Sequence, residues 1–287
     1  MSTTSTSTPK PLHQEPEPIP TSKPHPSPLK AFLNQEIRAD LLLETQLLIL
    51  TFLTGIQDAS TWLDYTCFAS NQTGNTIFLA LSLASSSSLS PPPPTSPSPS
   101  PDQPPPYSFP NITTSLTLFI TATLTFGQLG NHLGPHRRSW LLLSNLLQTI
   151  PVLAALALQL YYPITRDGPA ARAVIGCLAF SSGGQVAMAR ALGMTEITTA
   201  MATAALVDVG IDARLWRARN RGRNRRLAFL GCLVLGCLVG AVLRRVGRGV
   251  PLLVCVVGKG GVFVGVLFNR GVDGEEGKEK EKDKGEV

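Results

Sequence analysis

From residue 41 to residue 161 the chain carries only six Asp, Glu, Lys or Arg residues: Glu44, Asp58, Asp64, Asp102, Arg137 and Arg138. So little charge cannot cover a water-exposed surface, since soluble globular domains carry about 25% charged residues. Six apolar runs stand out, at residues 41–62, 112–133, 140–161, 171–191, 227–246 and 250–268. A helix needs about 20 apolar residues to cross a hydrocarbon core of roughly 30 Å. Only helices and closed barrels satisfy their backbone there, and these runs are too long and too weakly alternating for barrel strands. The mean hydropathy of +0.14 hides the pattern because polar segments dilute it. Of the 24 prolines, eight precede Leu29 and eleven lie in residues 91–110. An ordinary soluble enzyme, a disulfide scaffold and a fully disordered chain are all excluded.

The predicted fold is all-α, a polytopic transmembrane helical bundle. Residues 1–40 lack the apolar core of a secretory signal. They read as a disordered Ser/Thr/Pro-rich tail with too little apolar surface to offset the entropy of ordering. Residues 271–287 alternate charge sign and read as a solvated tail. Cys67, Cys177, Cys232, Cys237 and Cys255 each sit in an apolar run without a CxxC pair, which predicts buried thiols and no metal or cofactor. Seven arginines cluster at Arg214, Arg217, Arg219, Arg221, Arg223, Arg225 and Arg226. They lie between apolar runs with Trp216 as the one aromatic among them. A cytoplasmic loop obeying the positive-inside rule accounts for them better than nucleic-acid binding.

Two further apolar pieces, residues 68–84 and 197–211, are short. At about 1.5 Å rise per residue they reach only about 22–25 Å, so they are tightly fitted spans or re-entrant half-spans. The order long, short, long, long then occurs twice, which suggests two related halves: residues 41–161, with a Pro/Ser-rich loop at 85–111, and residues 162–270. Gln57-Asp58-Ala59 has a counterpart in Gln185-Val186-Ala187, and Phe126-Gly127-Gln128-Leu129-Gly130 resembles the stretch from Leu235 to Gly240. The insert at 85–110 explains why the two offsets differ. If both short pieces are re-entrant, Arg137 and Arg138 share the cytoplasmic side with the Arg cluster and both termini, giving a three-plus-three inverted repeat. Arg244, Arg245 and Arg248 then lie on the far side, against the rule. Eight full spans in a parallel repeat are the alternative. Asn111-Ile112-Thr113 matches a glycosylation acceptor, set too near the next span to favour its use.

The polar residues inside the runs suggest a site. Asp58 lies deep in an apolar run, where an ionisable side chain is costly and a functional role is the default hypothesis. Gln57 precedes it, and Asn71, Gln72, Thr73 and Asn75 crowd the start of the first short piece. The second half offers Gln185, then Thr198, Thr199, Thr203 and Asp208. Short, Gly-interrupted segments in matching positions of two halves point to a transporter substrate site at their interface, for a small solute or an ion. Lys259 sits mid-run and either pairs within the bundle or snorkels. Gly130 with Gly134, Gly236 with Gly240, and Gly261 with Gly265 have close-packing spacing, for internal contacts or a homo-oligomer face.

The stretch TGIQDASTW…FASNQTGNTIFLALSLA resembles the signature of the YoaK-like membrane-protein family, known as domain of unknown function 1275. Its G-x-x-D-A element falls on Gly55, Asp58 and Ala59, and its N-x-T-G-N element on Asn71, Thr73, Gly74 and Asn75. The later stretch from Gly183 to Val209 is similar to the family's second Gln- and Thr-rich element, especially in its fungal branch. The resemblance implies an integral membrane protein and supplies no substrate. Two functions are therefore expected: a small-solute transporter or permease, or a non-transporting interaction or signalling protein that uses the Arg-rich loop and the tails. No HExxH, GxSxG or paired catalytic carboxylates occur, so an enzyme is not expected. The lipid bilayer is the expected partner, without nucleic acid, and the location is a membrane crossed several times.

Overall fold

A computed structural model describes residues 27–86 and 107–272. Residues 1–26, 87–106 and 273–287 lie outside the described residues, and with them most of both tails and of the Pro/Ser-rich loop. Nine helices are described: α1 (Pro28–Asn34), α2 (Leu41–Tyr65), α3 (Gln72–Ser86), α4 (Phe109–Leu133), α5 (Arg138–Tyr161), α6 (Pro169–Ala191), α7 (Ala202–Gly210), α8 (Arg221–Val246) and α9 (Val250–Leu267). The described residues form an all-α bundle. Helices α2, α4, α5, α8 and α9 are long and apolar enough to cross a membrane. Their outward faces carry Ile120, Leu124, Ile150, Leu153, Leu238, Val242 and Val257, all exposed. An apolar band of this extent is at home in lipid and not in water. The protein is thus a multi-pass integral membrane protein.

Local chemistry sets the helix ends. Asp40 caps α2, accepting from the amides of Leu42 at 3.1 Å and Leu43 at 3.0 Å, and Asn220 caps α8 through Arg223 N at 3.1 Å. Helices α4, α6 and α9 carry proline in the first turn, where the missing N–H costs nothing. Helix α8 begins six residues before its apolar run, where the Asn220 cap starts it and Arg221, Arg223, Arg225 and Arg226 favour helix over the intervening Gly222 and Asn224. Residues 28–40 correct the expectation of a disordered tail. They form α1 and a segment pinned by Arg138, which is 2% exposed. Its guanidinium donates to Leu267 O and Asn269 O at 2.6 Å each and to Gln35 Oε1 at 2.9 Å, and it lies 4.0 Å over the Phe32 ring. Isolated bridges join Glu36 to Arg137 and Ile37 to Gly271. These contacts bring the start of α2, the α4–α5 junction and the end of α9 to one end of the bundle.

Helix α2 packs on α8 and runs parallel to it. At that same end Glu44 accepts from Arg221 and Arg225; at the other, Asp64 accepts from Arg244. Between the clamps the backbones nearly touch. A Cβ on Gly240 would lie 2.8 Å from Ile56 Cα, and one on Gly55 would lie 2.8 Å from Cys237 N. Helices α4 and α6 form a second parallel pair, in which a Cβ on Gly183 would lie 3.0 Å from Ala122 Cβ. The Gly236–Gly240 face is therefore used internally. Gly130 faces the Trp140 ring instead, and Gly261 faces open space.

Two segments retrace their path. After Tyr65 the chain turns back along α2 until Ser70 reaches Asp58, about 10 Å below the helix end at 1.5 Å per residue, and α3 then runs outward. Residues 192–201 turn back from the opposite end in the same way, through Thr199 at φ 63°. Helix α7 then runs outward for nine residues, about 14 Å, too short to cross a bilayer. Helices at matching places in the order long, short, long, long run in opposite directions: α2 against α6, α4 against α8, α5 against α9. Pairings also correspond, since α2 on α8 matches α6 on α4, and α5 on α6 matches α9 on α2.

Candidate functional site

Asp58 is held from the retracing segment. Its Oδ1 accepts Ser70 N at 2.8 Å and its Oδ2 accepts the Ser70 hydroxyl. The segment is shaped by Asn75, which is fully buried. Asn75 Oδ1 accepts Phe68 N at 3.0 Å, and its Nδ2 donates to Phe68 O at 2.8 Å and to Gln72 Oε1 at 2.9 Å. One amide side chain thus substitutes for a strand partner at a backbone that has none, as burial at this depth requires. Ser115 Oγ on α4 adds a donor to Phe68 O at 2.7 Å.

Above this support lies a cavity of about 750 Å³. The chain before and within the first turn of α3, residues 70–74, forms one wall, and residues 200–204 at the start of α7 form the facing wall. Asp58 of α2 and Val186 of α6 lie between them, and Phe119 of α4 and Leu233 of α8 take matching places. Trp62 and Phe68 line it with stacked rings whose centroids are 4.9 Å apart. The cavity therefore sits where the two four-helix segments meet. Asp58 is its one carboxylate, and among the described residues no Lys, Arg or His side chain bonds to it.

Of the residues singled out from sequence, Asp58, Asn71, Gln72, Thr73 and Thr203 line the cavity. Asn75 supports its wall from behind. Thr198 accepts Met201 N at 3.2 Å, and Thr199 is buried with no partner for its hydroxyl; both shape the turn into α7. Gln57 and Gln185 belong to a separate polar layer in the bundle interior. Gln185 Nε2 donates to Thr54 Oγ1 at 2.8 Å, and Ser182 Oγ donates to Gln57 Oε1 at 3.3 Å. Lys259 is in this layer too, donating to Gln185 Oε1 at 2.7 Å and Gln148 Oε1 at 3.3 Å. It pairs within the bundle, and with amides. Asp208 is a correction. It lies 3.3 Å from Arg226 Nε, half exposed, at the Arg-rich end of α7, because a second turn of an outward-running helix points away from the cavity. Asn111 is fully buried, donating to Tyr65 O at 3.3 Å and Arg166 O at 3.0 Å, so its acceptor motif is not presented for glycosylation.

Sequence reasoning passed over Trp62, Ser70, Ser115 and the small residues Ala200, Ala202 and Ala204. Trp62 and Ser70 flank the Asp58 motif and were legible as neighbours; the alanines carry no chemical signal at all. The five cysteines are free, and among the described residues no three His, Cys, Asp or Glu side chains group to hold a metal ion.

A family model described as "Protein of unknown function (DUF1275)" matches residues 46–265. The chain belongs to this family. The matched region of this DUF1275 protein begins inside α2 and ends inside α9, so it takes in the cavity, both retracing segments and the Lys259 layer. No curated protein and no solved structure matches the chain.

Proposed function

We propose that this DUF1275 protein is a small-solute transporter or permease with its substrate site in the cavity between two related, inverted halves, residues 41–161 and 162–270. The observation that carries the reading is that the starts of both short helices line the same cavity, at the seam of the two halves. Transporters place sites there because interrupted helices expose polar backbone only where a cavity receives it. The opposed helix directions and the exchanged pairs, Gln185 with Thr54 and Ser182 with Gln57, support the inverted relation. In this reading α6 is a sixth span and the Arg-rich end faces the cytoplasm, as the positive-inside rule favours.

The test is an uptake screen in proteoliposomes, comparing wild type with Asp58→Asn. A solute taken up by wild type and at least tenfold more slowly by the variant, at equal folded protein, supports the site. Wild-type protein that is folded and transports none of a broad solute panel counts against it.

A second reading, an interaction protein working through the α7–α8 loop, is favoured by Trp216, which is 93% exposed beside Arg214, Arg217 and Arg219. Neutralising those arginines then removes function while the Asp58 variant keeps it.

A further inference from the structure

The cavity carries more than a location, and its lining restricts the chemical class of what it accepts. Its charge balance is one-sided. Asp58 is a buried carboxylate, and its partners are all uncharged: Ser70 N and Ser70 Oγ bond it, and the amides of Ala69 and Asn71 also face it. A buried charge without a counter-charge costs several kcal/mol, and a cationic occupant removes that cost.

Helix starts attract anions through free N–H groups. At α3 one of these is taken, since Gly74 N donates to Asn71 Oδ1 at 3.3 Å, and the amides of Phe68 and Ser70 ahead of it go to Asn75 Oδ1 and Asp58. Helix α7 carries no side-chain cap, but a helix start offers only about half a positive charge, against the full charge of the Asp58 carboxylate.

The cavity is also the wrong size for a bare metal ion, which takes six or more oxygen ligands at close range. Its volume of about 750 Å³ falls in the range of small-molecule pockets. Trp62 and Phe68 supply aromatic faces, and such faces attract cations, most strongly when water is excluded. Asn71, Gln72, Thr73 and Thr203 add neutral hydrogen-bonding groups.

We infer that the cavity binds an organic monovalent cation, an amine or quaternary ammonium of small-molecule size, with Asp58 as its counter-charge and the Trp62 and Phe68 rings as its wall. This deepens the transport reading and rests on it for the meaning of the site, but binding alone tests it.

The experiment uses the full chain in lipid nanodiscs with radiolabelled benzyltrimethylammonium at equilibrium, and phenylacetate as an anion of similar size. Saturable cation binding is expected, with no competition from phenylacetate. Asp58→Asn is expected to weaken it at least tenfold and Trp62→Leu severalfold. Ser70→Ala removes the hydroxyl that shares the charge of Asp58, and tightens binding; a purely structural Asp58–Ser70 contact predicts loss instead. Melting temperatures of the three variants establish that each is folded. Absence of saturable cation binding by folded wild type, tighter phenylacetate binding in Asp58→Asn, or weakened cation binding in folded Ser70→Ala overturns the inference. Uptake separates it from the transport reading. A cation that binds but is never taken up leaves the inference standing and removes the transporter, whereas uptake of neutral or anionic solutes independent of Asp58 does the reverse.

Discussion

Lys259 Nζ lies 2.7 Å from Gln185 Oε1 in the middle of the bundle, and no carboxylate stands beside it among the described residues. An ammonium held by two amide oxygens joins α9 to α5 and α6, and Gln185 carries the connection on to Thr54 of α2. Replacing Lys259 with Met leaves two buried acceptors without a donor, a loss of about 1–3 kcal/mol for each group left unsatisfied. Lys259→Glu sets a carboxylate against the same oxygens and is expected to be far worse. Melting of the purified protein in detergent should rank wild type, then Met, then Glu. Equal melting of Lys259→Glu and wild type would show that the amide layer does not hold the four helices together.

The close approach of α2 and α8 predicts opposite outcomes for two helical glycines. Gly240→Ala places a methyl group 2.8 Å from the backbone of Ile56, and forced separation of packed helices costs about 1–3 kcal/mol. Gly261→Ala meets nothing within 4 Å and gains up to about 1 kcal/mol of helix propensity. Thermal unfolding monitored by circular dichroism distinguishes them, and a stabilised Gly240→Ala is the outcome that contradicts the packing.

Arg138 is expected to govern the order of the chain on either side of the core. Three of its bonds tie Gln35, Leu267 and Asn269 together, and a hydrogen bond to a charged group is worth about 1.5–3 kcal/mol. Arg138→Ala should raise hydrogen exchange and protease cleavage near residues 35–40 and 267–272 while leaving the cavity intact. Lysine should rescue only in part, since it lacks the planar fork that reaches several carbonyls at once.

Outside the membrane, the loop ahead of α8 is expected to loosen in acid. Asp212 accepts Asn220 Nδ2 at 2.7 Å and Arg214 N at 2.8 Å, and these bonds, the Asn220 one foremost, hold its carboxyl below the ordinary value of 3.8. A depressed carboxylate contributes order above its unfolded pKa and loses it as pH falls through the lower folded value. Protection of the Arg214 amide should therefore be full at about pH 5 and reduced near pH 3, taking about 3.9 as the unfolded value. Asp212→Asn should abolish that dependence, and equal protection at both pH values would contradict it.

Much of the architecture was legible because the length and greasiness of a run are local properties. The six long runs became α2, α4, α5, α6, α8 and α9 with ends moved by a few residues, and the two weak runs became α3 and α7. The cavity was legible in part. Asp58 and the Asn71 to Thr73 cluster were visible because polar groups in an apolar run need a reason. Asp208 was misplaced because its depth depends on the direction of α7, which reverses only where Thr199 takes a left-handed backbone. Residues 28–40 were read as tail because their polar composition gives no hint that Phe32 meets Arg138.

Sequence by itself determined that this chain lives in a membrane, as a bundle of helices with a carboxylate at depth, since each conclusion follows from what lipid does to a run of side chains. Only the tertiary structure decided which polar groups meet. It put Ser70 on Asp58, Lys259 among glutamines and the starts of α3 and α7 on one cavity. Those distances arise from two segments folding back into the bundle and from glycine faces that let α2 and α8 touch, and both are relations between residues far apart in the chain.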